Sequence, residues 1–383
     1  MEFSLNEDQA AIRELAAQIF ADAASDEAML AFTRSGETYS NSLWTTLAEQ
    51  GLLGINLPEA LGGSGLGLQE LCGLLEEQGR RVAPVPIFAS LVLGALPILQ
   101  YGTAVQQSRW LVPMVNGKVK LSAAIAELGM NAALRNPVIA KLTGANWRLT
   151  GSCSVVPDGA VADCVLVPAL GEDGNTSIFL VDTTVATVRV EPQTIGLLGE
   201  RAANIYFENT EVSTEDLLGE EGAGDAILYW LEERANIGHS ALQLGVTEAA
   251  MKRTAAYVTE REQFGVPLGS FQALAMRMAD SYIDVEAMRS THWLALWRLS
   301  EGLEAAAEVR VAKWWACEGA HRVVQTAQHL HGGIGADVDY PIHRFFLWAK
   351  QISYSLGNAT QQLEKLGAML AADDSQGFKA LEV

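Results

Sequence analysis

A run of charged and aromatic residues early in the last third of the chain has the composition of a phosphate-binding turn. The run Arg261-Glu-Gln-Phe-Gly-Val-Pro-Leu-Gly-Ser-Phe-Gln272 places one guanidinium beside Gly265 and Pro267, which end helices. An arginine presents a planar fork of N–H donors that fits a pyrophosphate, and Phe264 and Phe271 offer flat apolar surface to a ring. The same run also suits an ordinary turn between two helices, so taken alone it leaves both interpretations open.

A second run, Gln328-His-Leu-His-Gly-Gly-Ile-Gly335, combines histidines with glycines. Glycines let a ligand approach the backbone closely, although a plain helix end also favours glycine. His329 and His331 stand two residues apart and raise the alternative of a metal site, but no nearby cysteine or regular set of acids completes one. We therefore predict no metal site and interpret this run as a second ligand-contacting segment.

Three stretches of different periodicity must position these two runs. Residues 3–119 carry apolar side chains at helical spacing around one Gly- and Pro-rich loop, residues 121–212 contain short β-branched runs, and residues 226–370 return to long helical periodicity. We predict a mainly α fold with a middle β domain. The domain order is an N-terminal helical domain (1–120), a middle β domain (121–224) and a C-terminal helical bundle (225–383). Apolar faces on the last helices predict a multimer.

At their mutual distance, the two runs resemble the RxxFGxPLxxFQ and GGxG segments of the acyl-CoA dehydrogenase family. The similarity extends over nearly the whole chain, with further matching strings at 52–65, 196–199 and 218–222. The resemblance implies an N-terminal helical domain, a middle β-barrel-like domain and a C-terminal four-helix bundle. It also implies a tetramer in which FAD is shared between neighbouring subunits.

The activity that the resemblance implies is FAD-dependent α,β-dehydrogenation of an acyl-CoA thioester to the 2,3-enoyl-CoA. A carboxylate takes the α-proton, and the β-hydrogen leaves as hydride to flavin N5. An electron-transfer-flavoprotein-like protein is the implied electron acceptor. By the same resemblance, the residues that face the adenosine-diphosphate half of FAD are Arg261, Gln263, Phe264, Gln272, His329, Gly332 and Gly333.

The family usually carries its catalytic base in a YEGT-like string. That string falls on Ser355-Leu-Gly-Asn358, so that Leu356 occupies the base position. Some members place the acid on an earlier helix directly before an arginine, and here Glu233 precedes Arg234. Glu233 is therefore our candidate base, which requires a pKa raised by desolvation. The alternative is a solvated acid in an acidic helix turn beside Glu232.

The middle domain departs from the family pattern where the flavin ring is expected. A TEPxAGSD-like loop falls on residues 126–133, where only Glu127 persists of its core string, and a KxWITN-like strand falls on residues 153–158, where Pro157 lacks an N–H donor. Each buried ring atom left without a partner costs about 1–3 kcal/mol. An intact adenosine-diphosphate side with an eroded flavin side resembles one subunit type of the heteromeric acyl-CoA dehydrogenases that act on steroid side-chain thioesters.

Two functions of different classes follow. The first is an active FAD-dependent acyl-CoA dehydrogenase that uses Glu233, as a homotetramer. The second is a non-catalytic subunit that supplies Arg261 and the glycine run to a partner's FAD site in an α2β2 heterotetramer. A flavin enzyme acting on another substrate, such as a nitroalkane, is a third interpretation.

Composition argues against several other classes. A formal net charge of −20 over 383 residues repels nucleic acid and acidic membrane surfaces. The four cysteines lie far apart without CxxC spacing, which fits a reducing compartment. The first 20 residues carry acids where a signal peptide needs basic residues, and no apolar run reaches the roughly 20 residues that span a bilayer. We therefore expect a cytoplasmic protein without a targeting segment.

Overall fold

The computed structural model describes residues 6–126, 137–193 and 202–372, and it shows a mainly helical protein with one middle sheet. The helices are α1 (Glu7–Ala23), α2 (Asp26–Ser35), α3 (Asn41–Glu49), α4 (Leu68–Arg81), α5 (Leu96–Tyr101), α6 (Ala104–Val115), α7 (Gly224–Glu260), α8 (Gln272–Ser300), α9 (Ala306–His331), α10 (Ile342–Tyr354) and α11 (Ala359–Ala372). The strands are β1 (Leu121–Ala123), β2 (Val138–Thr143), β3 (Asn146–Val156), β4 (Cys164–Leu170), β5 (Thr176–Asp182), β6 (Val188–Pro192), β7 (Ala203–Ser213), β8 (Leu217–Leu218), β9 (Glu262–Gln263) and β10 (Val266–Pro267).

Side-chain caps start several of the N-terminal helices. Asn6 accepts a hydrogen bond from the backbone N–H of Gln9 at 2.8 Å, Ser25 accepts one from Ala28 at 3.2 Å, and Thr103 caps α6 in the same way. Each cap satisfies an N–H group that the helix itself leaves without a partner. Between α4 and α5, residues Phe88–Ala95 form a buried π-helix. In the described part of the chain, no helix combines the length and the apolarity needed to cross a bilayer.

Helix α4 packs directly on α7 because glycines face the partner backbone at the crossing. A Cβ atom on Gly245 of α7 would lie 2.0 Å from the carbonyl oxygen of Glu76, and one on Gly79 of α4 would lie 2.2 Å from that of Leu242. Real Cβ atoms essentially never come so close. These two glycines therefore set the approach of the N-terminal helices to the helix that carries Glu233.

Charged side chains join four helices next to this crossing. We call them the Glu76–Glu248 cluster: Arg13 (α1), Glu76, Glu77 and Arg80 (α4), Glu248 (α7) and Arg289 (α8). Arg80 pairs with Glu76, with Glu77 at 3.1 Å and with Glu248. Arg289 reaches Glu248 at 3.3 Å and Glu76 at 3.5 Å. Buried acids are thus shared between cations on different helices, which fixes the relative positions of those helices.

The middle residues form one sheet with strand order β6-β7-β3-β2-β4-β5-β8, and β1 joins it parallel to β4. The short β-branched runs that predicted strands between residues 121 and 212 include the sequences of β4, β5, β6 and β7. Trp147 and Phe179 meet at 5.4 Å inside the sheet's own apolar cluster. Between Cys153 and Val156 the register of β3 against β7 shifts by one residue, which is a β-bulge. The bulge lies within residues 153–158, where the family resemblance places a strand beside the flavin ring.

Candidate functional site

The Arg261 segment is a short hairpin at the C-terminal end of α7. The helix ends where the N–H of Arg261 donates to the carbonyl oxygen of Tyr257 at 2.8 Å. Strands β9 and β10 then pair around a two-residue loop, Phe264 and Gly265, with φ values of 57° and 79°. Positive φ at both positions is the signature of a type I′ hairpin turn. Gly265, which predicted a turn in the sequence, lies in this loop, whereas Pro267 lies in β10 opposite Glu262.

Two side chains on this hairpin are available to a ligand. The guanidinium of Arg261 is exposed, and it forms no ion pair with any acid in the described part of the chain. Phe264 is 93% exposed, although a left-handed backbone costs a non-glycine residue about 1–2 kcal/mol. Its ring meets Phe271 edge to face at 6.2 Å. An exposed aromatic ring held in an unfavourable backbone conformation is typical of a contact that forms only with a ligand or another subunit.

The glycine run follows α9 directly. Gly332 has φ 63°, and a Cβ atom added to Gly332 or Gly333 would meet nothing within 4 Å. Both glycines are exposed, so the space above this backbone is open to a ligand. His329, one turn earlier, is also exposed, and it lines a groove of about 660 Å³ between α8 and α9 that Arg277 and Arg322 enter. Asp280 and Asp284 line the same groove, and Asp284 accepts hydrogen bonds from Arg322, so the feature that fits a ligand here is the open glycine backbone.

An aromatic contact brings the two segments together. The ring of His331, the last residue of α9, stacks on Tyr257 in the last turn of α7 with centroids 4.4 Å apart and planes at 22°. Gln272 begins α8 immediately after the hairpin. The residues expected at the adenosine-diphosphate half of FAD therefore share one end of the helical bundle. Tyr257 was not predicted as part of this site, although an aromatic residue one turn before Arg261 is a signal for it.

Glu233 lies at the other end of the same helix. It precedes Arg261 by 28 residues of α7, which corresponds to about 42 Å at 1.5 Å per residue. FAD is shorter than this even when fully extended. Glu233 and Arg261 of one chain therefore cannot contact the same FAD molecule.

The structure places Glu233 in a largely buried position, with 13% of its side chain exposed. Its Oε2 lies 3.3 Å from Nη1 of Arg234, which also donates to the carbonyl oxygen of Trp230 at 3.0 Å. Burial raises the pKa of Glu233, and the charge of Arg234 opposes that rise without cancelling it. The carboxyl is thus a desolvated acid, as a catalytic base requires.

The adjacent Glu232 has a different role. It accepts hydrogen bonds from Arg310 at 2.9 Å and from Lys365 at 2.5 Å. Burial pushes its pKa up, but the hydrogen bonds and charges of these two cations outweigh burial and leave the pKa below its usual value. Glu232 therefore stays ionised and ties α7 to α9 and α11. Of the two neighbouring acids, only Glu233 has a raised pKa.

A pocket of about 280 Å³ lies beside Glu233. Trp230 and Arg234, four residues apart on one face of α7, line it together with residues 67–70, Leu96 and the end of α8. The guanidinium of Arg234 lies 4.0 Å from the centre of the Trp230 ring. Glu233 is not among the lining residues. The spacing of Trp230 and Arg234 in the sequence was a signal that could have located this pocket.

Leu356, at the usual base position, is buried and has no acidic function. It adopts φ 58°, and Gly357 follows with φ 94°. The amide of Gln362 donates to the carbonyl oxygens of Leu356 and Gly357 at 3.1 and 3.3 Å. The turn at 355–358 is therefore held by a side-chain amide, and it brings an apolar side chain into the core.

On the expected flavin side, residues 127–133 and 196–199 lie outside the described residues, and with them Glu127. The strand at 153–158 is described. Val155 has φ 54° and donates its N–H to Oδ1 of Asn204 at 3.2 Å, and the carbonyl oxygen of Pro157 accepts a hydrogen bond from Ser122 at 2.5 Å. Neither Val155 nor Pro157 offers a side-chain donor to a ring edge. The described residues fit the adenosine-diphosphate half of FAD better than its flavin half.

No group of three or more His, Cys, Asp or Glu side chains is arranged for a metal ion among residues 6–126, 137–193 and 202–372. His331 instead directs Nδ1 to the carbonyl oxygen of Ala327 at 2.8 Å. His329 and His331 lie in different environments. His329 is exposed in the groove, whereas His331 is buried against Tyr257.

Comparison with known proteins identifies the family. The profile of the acyl-CoA dehydrogenase N-terminal domain matches residues 6–118, and that of the C-terminal domain matches residues 226–370. Acyl-CoA dehydrogenase FadE27 of Mycobacterium tuberculosis is 38% identical over 347 residues, which cover 88% of this chain and 89% of that protein.

Solved structures give the same answer. A variant of the Tcur3481-Tcur3483 steroid ACAD is 43% identical with a TM-score of 0.88, and the ChsE4-ChsE5 complex from Mycobacterium tuberculosis is 36% identical with a TM-score of 0.91. Each comparison covers 97% of this chain and 100% of the other. The resemblance found in the sequence, including that to heteromeric steroid enzymes, is confirmed. The chain belongs to the acyl-CoA dehydrogenase family, whose cofactor is FAD.

Proposed function

We propose that this chain is a subunit of a FAD-dependent acyl-CoA dehydrogenase, which converts an acyl-CoA thioester to the 2,3-enoyl-CoA. In this proposal the chain binds the adenosine-diphosphate half of a FAD whose flavin half lies in a neighbouring subunit. The supporting observation is the separation of about 42 Å between Glu233 and Arg261 on one helix. An electron-transfer-flavoprotein-like protein receives the electrons.

Each residue at the hairpin end has a defined role in this proposal. Arg261 donates a forked pair of hydrogen bonds to the diphosphate, and the open backbone of Gly332 and Gly333 admits the ligand without a steric clash. Phe264 covers the ligand with its exposed ring, while Gln263 and Gln272 donate from their amides and His329 borders the groove. When bound, FAD supplies the hydride acceptor for the substrate β-carbon.

Glu233 is the proposed base in the first form of this function. Its carboxylate takes the α-proton, which the thioester carbonyl acidifies. Desolvation raises the pKa of Glu233 and so favours its protonated form after transfer, while the charge of Arg234 at 3.3 Å favours its ionised form before transfer. The pocket lined by Trp230 and Arg234 lies next to this residue and is the proposed place for the substrate thioester. A homotetramer is the assembly that this form requires.

A second form is favoured by two observations. Glu233 projects about 100° away from the pocket-lining direction of Arg234, and Val155 and Pro157 offer the flavin ring no side-chain donor. In this form the chain is a non-catalytic subunit, and an α2β2 heterotetramer carries the base and the flavin-ring contacts on the partner. Similarity to the ChsE4-ChsE5 complex supports this assembly.

An absorbance scan of the purified full-length chain near about 450 nm separates the two forms, because bound flavin absorbs there. In the first form the chain alone carries flavin and oxidises acyl-CoA, and Glu233→Gln abolishes turnover while flavin stays bound. In the second form the chain is colourless until a partner chain is co-expressed, and Glu233→Gln in the complex leaves turnover unchanged.

Arg261→Ala tests what both forms share. Loss of the forked hydrogen bonds weakens FAD binding at least about tenfold in the FAD-containing assembly. Arg298→Ala, on α8 at the opposite end of the bundle, is the matched control and leaves FAD binding unchanged. Equal FAD affinity of Arg261→Ala and the unsubstituted protein contradicts the proposed function in either form.

A further inference from the structure

We propose that His331 is a positioning residue that holds the glycine run and the Arg261 hairpin together from behind. Its ring stacks on that of Tyr257 with centroids 4.4 Å apart and also contacts that of Tyr340, tilted by 53°, at 5.4 Å. The three residues come from three separate places: the end of α7, the end of α9 and the connection that precedes α10. We call them the His331 clamp.

The clamp acts directly on the backbone of both ligand-facing segments. Gly332, with φ 63°, follows His331 without an intervening residue, so the buried imidazole anchors the backbone directly before the glycine run. On the other side, the carbonyl oxygen of Tyr257 accepts the N–H of Arg261 at 2.8 Å. A shift of one ring relative to the other therefore moves Arg261 relative to Gly332.

The ring contributes its flat surface rather than a polar network. His331 is almost completely buried, its Nδ1 bonds only to the carbonyl oxygen of Ala327 one turn earlier, and its Nε2 has no hydrogen-bond partner among the described residues. Burial lowers the pKa of His331, so the ring is neutral at physiological pH. A phenyl ring supplies the same stacking surface. The proposal therefore requires that a phenylalanine at position 331 hold the hairpin and the glycine run almost as well as the histidine does.

Tyr340 is itself anchored. Its N–H donates to the carbonyl oxygen of Asp337 at 3.1 Å, and its own carbonyl oxygen lies 2.6 Å from Nδ1 of His343 at the start of α10. Asp339, next to Tyr340, pairs with Arg34 of α2 at 2.9 Å. The far side of the clamp is thus attached both to α10 and to an N-terminal helix.

Hydrogen–deuterium exchange on the full chain tests the clamp without any ligand. His331→Ala raises exchange about tenfold or more in residues 261–268, on a different element from the substitution, as well as in residues 332–336. His331→Phe stays within about twofold of the unsubstituted chain. Tyr257→Ala loosens residues 332–336 from the other side. The matched control is His239→Ala, which removes another buried imidazole stacked on an aromatic ring, that of Phe88 at 4.1 Å, and leaves both segments unchanged.

The role of the clamp in cofactor binding rests on the proposed function, and FAD affinity of the assembly that carries FAD is the second measurement. We expect His331→Ala to raise the Kd for FAD about tenfold, with His331→Phe restoring it, because preorganised contacts are lost. If His331→Ala loosens the hairpin while neither it nor Arg261→Ala changes the Kd, the clamp stands and the proposed function fails. If exchange at residues 261–268 is unchanged in His331→Ala, or rises as much in His239→Ala, the clamp is refuted.

Discussion

Replacement of Glu248 by glutamine tests whether the Glu76–Glu248 cluster stabilises the packing of α4 and α8 on α7. Glu248 pairs with Arg80, with Arg289 at 3.3 Å and with Lys252 at 2.6 Å, and only 10% of its side chain is exposed. Burial pushes its pKa up, but the hydrogen bond from Lys252 and the charges of Arg80 and Arg289 bring the pKa down to about 2. Glutamine keeps the shape of the side chain and removes its charge.

The size of the effect follows from the pKa. A fall from 4.5 to about 2 is worth about 3 kcal/mol at 1.36 kcal/mol per pKa unit, so the Glu248→Gln variant should lose about 3 kcal/mol of unfolding free energy at pH 7. Since the folded pKa lies below the unfolded one, this stabilisation is complete above pH 4.5 and is lost as the pH falls towards 2. At pH 3.5 the difference between the two proteins should have shrunk by about 1.4 kcal/mol.

Urea denaturation, extrapolated to water at pH 7 and at pH 3.5, measures both quantities. Glu286→Gln is the matched control, because Glu286 also pairs with Arg289, at 3.4 Å, but has 44% of its side chain exposed. We expect the control to cost less than about 1 kcal/mol. A loss below 1 kcal/mol in Glu248→Gln, or a loss equal to that of Glu286→Gln, would refute the stabilising role assigned to the cluster.

Three further predictions concern the neighbouring features. Gly245→Ala should lower the unfolding free energy by more than about 2 kcal/mol, because its Cβ would lie 2.0 Å from the carbonyl oxygen of Glu76; Gly73→Ala in α4, where nothing lies within 4 Å, should not lower it. Glu233→Gln should increase the unfolding free energy at pH 7, because a folded pKa above the unfolded one means stability is lost as the pH rises above 4.5; an unchanged urea midpoint would contradict this. Phe264→Gly should change the unfolding free energy by less than about 1 kcal/mol in urea denaturation, because the left-handed backbone at this position suits glycine. The same variant should weaken FAD binding about tenfold, measured by flavin fluorescence, because the exposed ring is lost. Unchanged FAD affinity would show that the exposed ring serves another contact.

The sequence predicted the local turn of the Arg261 hairpin, but not the backbone conformation of Phe264 or the long-range contact between His331 and Tyr257. Gly265 and Pro267 predicted a turn because local backbone preference alone decides it, and the structure has a two-residue hairpin there. The left-handed conformation of Phe264 was not predictable, since aromatic residues avoid it and only the surrounding hairpin imposes it. The stack of His331 on Tyr257 joins residues 74 positions apart, and no periodic pattern encodes such a contact.

Spacing along the helix also limited the assignment of Glu233. The sequence shows that a glutamate directly precedes an arginine, but it does not show which of the two side chains lines the pocket, and Arg234 lines it while Glu233 does not. Burial beside Arg234 and Trp230 was equally hidden, because it depends on residues 67–70 and on the end of α8. The role of Glu233 as base stays a prediction for the turnover measurement.

The length of α7 links the two halves of the proposed function. A continuous helix of 37 residues is rigid enough to hold Glu233 and the Arg261 hairpin at a constant distance that FAD cannot span. In the proposed function each chain therefore contributes half of two different sites, and a complete site takes its other half from a second chain. Evolution can then lose the base and flavin contacts in one chain while the assembly stays active, provided that the Arg261 hairpin is kept. In this chain the described hairpin end is open, whereas Leu356, Val155 and Pro157 stand where the family resemblance expects reactive or hydrogen-bonding groups. This asymmetry is the pattern expected of a chain whose partner carries the chemistry, and the flavin content of the isolated chain tests it directly.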